Sequence, residues 1–169
     1  MKYLFGVLLL ASMLFSCKQE AKVVPNKVQN WEKREVAKPV PDTLEMGTSY
    51  LSVYPQIYTK SEERLVNLTT TVSMRNPNVR ATLYIDKIDY YNTKGDCIRK
   101  YISHPVFIRP METVEIIIDH ADNEGGTGAN LIFQWYKETS ASDPVFEAVM
   151  ISTYGQMGLS FVTQDKRIK

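Results

Sequence analysis

Val66-Asn67-Leu68-Thr69-Thr70-Thr71-Val72-Ser73-Met74-Arg75 decides the fold of this chain. Val66, Leu68, Thr70, Val72 and Met74 alternate with Asn67, Thr69, Thr71, Ser73 and Arg75. A period of two puts one set on an apolar face and the other on a polar face, the mark of a half-buried β-strand. Asn76-Pro77-Asn78 ends the run, because the residue before proline is pushed extended and asparagine suits turns.

The same spacing extends on both sides. Ala81 to Tyr91 reads as the next strand, with Ala81, Leu83, Ile85 and Lys87 opposite Thr82, Tyr84, Asp86, Ile88 and Tyr90. Asn92-Thr93-Lys94-Gly95-Asp96 then reads as a hairpin loop with Gly95 left-handed. Cys97 to Ile102 returns, and Pro105 and Pro110 bracket Val106-Phe107-Ile108. Val114 to Ile118 is apolar enough to be buried on both faces. Asn130 to Tyr136 places Leu131, Phe133 and Trp135 on one side, and Val145 to Ile151 and Leu159 to Val162 complete the set. Asp143 to Met150 also admits a short helix, with Pro144 at its first position, but Val145, Val149 and Ile151 favour a strand. About seven or eight strands with turn signals every 8–12 residues or so predict an all-β, immunoglobulin-like sandwich. It spans residues 44–169, the usual size of one domain.

The N-terminal part is different in kind. Met1-Lys2, an apolar segment from Tyr3 to Phe15 and then Ser16-Cys17 have the layout of a secretory signal. The apolar segment is shorter than the roughly 20 residues a spanning helix needs. The cysteine at the cut resembles a bacterial lipobox, although Phe15 stands where small residues are commoner. The resemblance implies removal of residues 1–16 and acylation of Cys17. Lys18 is not the acidic residue that would suggest inner-membrane retention, which points to the outer membrane, periplasmic or surface face. Residues 17–43 read as a disordered tether, with Pro25, Pro39 and Pro41, mixed charges and few apolar groups. A short helix around Asn30 to Ala37, carrying Trp31, is the one local structure expected there.

Without Lys2 the chain carries 19 basic and 19 acidic residues. That balance argues against nucleic acid as a partner and against recruitment by a polybasic patch, leaving the acyl chains to hold the membrane. With Cys17 acylated, Cys97 is the remaining thiol, so a disulfide scaffold within the chain is excluded. Cys97 is expected to be reduced and buried.

The order of motifs resembles a family of exported and lipid-anchored bacterial proteins whose shared domain has no known function. The residues are Tyr50-Leu51-Ser52-Val53-Tyr54, Met74-Arg75-Asn76, Asp89-Tyr90-Tyr91-Asn92 and Gly125-Gly126-Thr127-Gly128-Ala129-Asn130 with Gln134-Trp135. Glu147-Ala148-Val149-Met150 and Gly158-Leu159-Ser160-Phe161 close the series. The resemblance brings no catalytic residue.

The glycine-rich segment 125–130 runs into a strand with no lysine before Lys137, so it reads as a turn rather than a phosphate loop. Asp119, Asp122 and Glu124 form a candidate cation loop, but without the spacing of an EF-hand. The three carboxylates are expected to splay into water. His104 and His120 have no metal-ligand partner spacing, and no cofactor or metal is expected. Cys97 with His104, and Ser160, are weak candidates for nucleophilic catalysis. The pairs Tyr90-Tyr91 and Trp135-Tyr136 make a candidate ligand surface, since adjacent strand residues point to opposite faces. The favoured reading is a non-catalytic envelope module that binds a protein or glycan. The alternative is an envelope hydrolase or cation-dependent enzyme using loop 119–130.

Overall fold

The computed structural model describes residues 29–36, 40–154 and 157–169. The signal segment, Cys17, the tether residues 18–28 and 37–39, and Gly155 lie outside the described residues. In chain order the strands are β1 (Glu45–Val53), β2 (Gln56–Thr59), β3 (Ser61–Asn67), β4 (Thr69–Arg75), β5 (Leu83–Tyr91) and β6 (Cys97–Lys100). They continue with β7 (Val106–Ile108), β8 (Thr113–Ile118), β9 (Ala129–Lys137), β10 (Val145–Tyr154), β11 (Met157–Gln164) and β12 (Lys166–Arg167). The larger sheet has the order β12-β1-β9-β5-β6, with β7 also on β5; the smaller has the order β11-β10-β4-β8. Every strand pairing among the described residues is antiparallel. The described residues form an all-β sandwich, with no closed barrel among them. Short edge strands and the separate β2–β3 hairpin raise the strand count above seven or eight.

The two inner faces meet across the core. Phe133 of β9 and Phe146 of β10 stack with ring centroids 4.0 Å apart and planes 6° from parallel. Leu51, Val72, Met74, Ile88, Leu131 and Met150 are fully buried around them. Burying side chains of this kind stabilises by about 1.5–3 kcal/mol each before entropy is counted. Asn76 closes one end: its Nδ2 donates to Ala81 O (2.8 Å) and Ile108 O (3.0 Å), while Asn78 N donates to its Oδ1 (2.9 Å). A buried amide so completely used costs little and joins the β4 end of one sheet to β7 of the other.

Four expectations are corrected. The run from Val66 to Arg75 is two strands, because Leu68 N–H leaves the ladder for Pro55 O at 2.7 Å. On β5 the strict alternation fails: Leu83, Ile85, Ile88 and Tyr90 are all fully buried. The β5–β9 register shifts between Ile85 and Lys87, so Asp86 is an extra residue that resets the phase, as a β-bulge does. β8 is an edge strand with Val114, Ile116 and Ile118 buried and Ile117 exposed, so it is buried on one face only. Residues 29–36, expected within the tether, are docked on the sandwich. Trp31–Arg34 form a 3-10 turn, Glu35 bridges to Val106, and Arg34 makes two bonds to the Glu112 carboxylate at 2.9 and 3.0 Å. Trp31 packs against the core, which repays the ordering of this segment.

Candidate functional site

The outer face of the larger sheet collects large side chains in register. Met46 pairs with Tyr136, Tyr136 with Tyr84, and Tyr84 with Phe107, giving one rung across β1, β9, β5 and β7. At roughly 4.8 Å between strands the rung is about 14 Å wide. Parallel rungs carry Tyr50, Ile132 and Asp89, and then Ser52, Asn130 and Tyr91. The Tyr50 hydroxyl donates to Asn130 Oδ1, and Ser52 Oγ lies 3.5 Å from that hydroxyl. Partial burial pushes the Tyr136 phenol up in pKa, with the Asp86 and Asp42 charges adding to it. The same cause, then Asp89 and Cys97, acts on Tyr91. Both rings therefore stay neutral donors on a surface edged by carboxylates.

Tyr90 and Trp135 are corrected as ligand-surface residues: both are fully buried. Trp135 Nε1–H donates to Ser49 Oγ at 3.2 Å, and a β-carbon at Gly47 would overlap its indole. Tyr91 and Tyr136 lie on the opposite, half-exposed face with Tyr84 and Tyr50. Tyr84, Phe107 and Met46 escaped the sequence reading because only tandem aromatics signalled themselves there. Cys97 is corrected too: it is exposed on edge strand β6, across from Tyr91.

The acidic loop is organised around a cation of the protein itself. Arg99 Nη1 lies 2.6 Å from Asp122 Oδ2, and Arg99 Nη2 lies 2.9 Å from Glu124 Oε2. The Arg99 guanidinium also lies 5.6 Å from the Tyr90 ring centroid and 5.7 Å from that of Tyr101. Asp119 Oδ1 accepts from Ala121 N at 2.8 Å, a local turn contact. The carboxylates of Asp122 and Glu124 are thus paired rather than splayed, and the Asp122 side chain is only 16% exposed. Among the described residues no three His, Cys, Asp or Glu side chains gather as a metal site. Tyr90 Oη and Asp122 Oδ1 are buried without a protein partner. Burial pushes the pKa of Tyr90 well above the ordinary phenol range, and the neighbouring Asp122 charge adds to this.

The glycines serve the chain's own packing. Gly126 has φ +71°, a conformation other residues adopt at a cost. Thr93 Oγ1 donates to Gly125 O at 3.0 Å and accepts from Gly128 N at 3.0 Å, and Gly126 N donates to Asn123 O at 3.1 Å. Two of the N–H groups that a phosphate loop would present are therefore spent within the protein.

Residues 46–168 match the family model described as protein of unknown function (DUF3124). The chain belongs to the DUF3124 family. No curated protein matches it. Among solved structures it is similar to the crystal structure of Thermotoga maritima 1070, at 11% identity and a TM-score of 0.41, covering 71% of this chain and 94% of that one.

The remaining candidates of this DUF3124 domain are not assembled into catalytic groups. Cys97 Sγ lies 3.9 Å from Arg99 O, whereas His104 Nδ1 lies 3.0 Å from Ser103 Oγ and 3.4 Å from Glu35 Oε1. His120 is exposed in the turn after β8, and Ser160 is exposed within β11. One hollow, of about 430 Å³, is bordered by residues 78–81 with Glu138, Ser140 and Ala141, and another, of about 220 Å³, lies between residues 29–34 and the β7–β8 connection. Neither includes a residue of loop 119–130. Sequence reading also missed a charged clasp. Lys137 Nζ lies 2.9 Å from Glu45, and Arg167 binds Glu45 (2.8 Å) and Asp143 (3.0 Å) while lying 4.9 Å over the Trp135 ring.

Proposed function

We propose that the protein is a non-catalytic binding module of the bacterial cell envelope, held by a lipid on Cys17 and binding glycan on the outer face of its larger sheet. The rung Met46–Tyr136–Tyr84–Phe107 carries the reading. Such rings offer apolar area with a polar tip, suited to the C–H faces of sugars. Asn130, Gln134 and Asp89, interleaved on the same face, offer the donors and acceptors that hydroxyl groups need. An open sheet face also fits binding better than catalysis, which requires groups converging on one reacting atom. The signal layout of residues 1–17 supports the lipid anchor. Among the described residues no helix is long and apolar enough to cross a membrane.

The test is co-sedimentation of the full chain with insoluble cell-wall glycan, with soluble oligosaccharides as competitors. Truncating an interface anchor costs more than about 1 kcal/mol, so Tyr136→Ala and Tyr84→Ala should each weaken binding about fivefold or more. Tyr58→Ala, on the separate hairpin, should leave it unchanged. Equal binding by all three variants would refute the sheet face as the site.

A further inference from the structure

A hollow lies at the root of the docked N-terminal segment. It holds about 220 Å³, roughly seven water volumes, between the 3-10 turn and the β7–β8 connection. Lys33, Arg34 and Arg109 border it, with Asn30, Phe107 and Glu112. The charges divide unevenly. Glu112 spends both carboxylate oxygens inside the protein, on Arg34 Nη1 and Nη2 and on the Arg109 backbone N at 2.8 Å. That pair neutralises itself and fixes the wall. Among the described residues neither Lys33 nor Arg109 forms a salt bridge through its side chain. The Arg109 guanidinium lies over the Phe107 ring at 5.6 Å.

We infer that this hollow binds a phosphate ester. A guanidinium held by a ring presents a planar fork that matches two phosphate oxygens, and an ammonium beside it supplies a second charge. The Asn30 side chain, whose Oδ1 accepts from Lys33 N at 3.3 Å, ties the lysine's backbone to the same wall. Eleven residues lie between Cys17 and Gln29, a reach of at most ~40 Å. If Cys17 is acylated, lipid headgroups lie within that reach; a free phosphate compound supplies the same chemistry.

The experiment reads the reactivity of Lys33 toward an amine-acylating reagent in the full chain, with exposed Lys60 as internal reference. In one arm the protein is held in uncharged, phosphate-free detergent and titrated with inorganic phosphate or glycerol phosphate against equal ionic strength of chloride. In the other it is reconstituted into phosphatidylglycerol vesicles. Lys33 should be protected relative to Lys60, and Arg109→Gln should weaken the protection about tenfold in ligand concentration, the loss of a hydrogen bond between charged groups. Protection confined to vesicles identifies a headgroup as the ligand, and protection by the soluble ester identifies a free phosphate; either result supports the site. No protection in both arms, or protection that Arg109→Gln leaves intact, overturns it. Because Tyr136 is not involved, glycan binding can fail while this site stands.

Discussion

Arg99 and Asp122, twenty-three residues apart, meet at 2.6 Å, so the acidic segment ahead of the glycine-rich loop is answered by an arginine of β6. Breaking a buried ion pair costs about 3–5 kcal/mol because one charge is left uncompensated. The Arg99 side chain is 34% exposed, so Arg99→Leu should destabilise by less, about 1–2 kcal/mol, in chemical denaturation. The same pairing predicts a negligible difference between melting curves in millimolar Ca²⁺ and in chelator. A bound ion at a hundredfold excess would add ~2.7 kcal/mol. A rise of several degrees, abolished by Asp122→Asn, would show that calcium displaces the arginine.

Alanine substitutions should separate the three loop glycines. A β-carbon at Gly125 would overlap the Tyr90 hydroxyl, which cannot retreat from a fully packed core, so Gly125→Ala should cost about 2–3 kcal/mol. At Gly126 the positive φ is joined by a close approach to Thr93 Oγ1, and the loss should be about 1 kcal/mol or more. Gly128 meets nothing nearer than 3.8 Å, and Gly128→Ala should change stability by less than about 0.5 kcal/mol. Thermal melts of the three variants check the order. An equal loss at all three would contradict the packing described.

Acid should loosen the docked segment 29–36. The bidentate Arg34 guanidinium holds the Glu112 carboxyl below the usual carboxylate range, so this group binds fewer protons folded than unfolded. Its contribution is present above the unfolded value, near ~4.3, and is lost as pH falls through the lower folded value. Trp31 fluorescence followed from pH 6 downward should change in that window. Arg34→Gln should move the change to higher pH; an unmoved midpoint would assign it to another group.

Cys17→Ser should leave the precursor unprocessed by the lipoprotein pathway and unlabelled by radioactive fatty acid. Acyl label retained on that variant would remove Cys17 as the attachment point.

The sandwich was legible wherever one sheet face is core and the other is not. Leu131, Phe133 and Trp135 announced β9, and Thr70, Val72 and Met74 announced β4, because each alternates without interruption. The bulge at Asp86 was illegible: alternation alone cannot show where a strand gains a residue, and the partner that reveals the gain, Gln134, is distant in sequence. Val114 to Ile118 misled because Ile117 is an exposed apolar residue, which edge strands tolerate. Of the candidate site, the tandem aromatics showed that two faces existed but not which residue belonged to which. Arg99 went unnoticed as the partner of the acidic loop, since ion pairs carry no local pattern.

The contacts of Trp31–Glu35 also decide how the molecule meets mechanical force. A pull on the chain from its N-terminal side reaches the Arg34–Glu112 pair and the Glu35–Val106 bridge before it reaches β1. Once these part, the fourteen residues from Trp31 to Leu44 can pay out to at most ~50 Å of slack. Meanwhile β1, hydrogen-bonded to β9 along its whole length, bears no tension. The docked turn is a breakaway clip, yielding first and spring-loading nothing behind it.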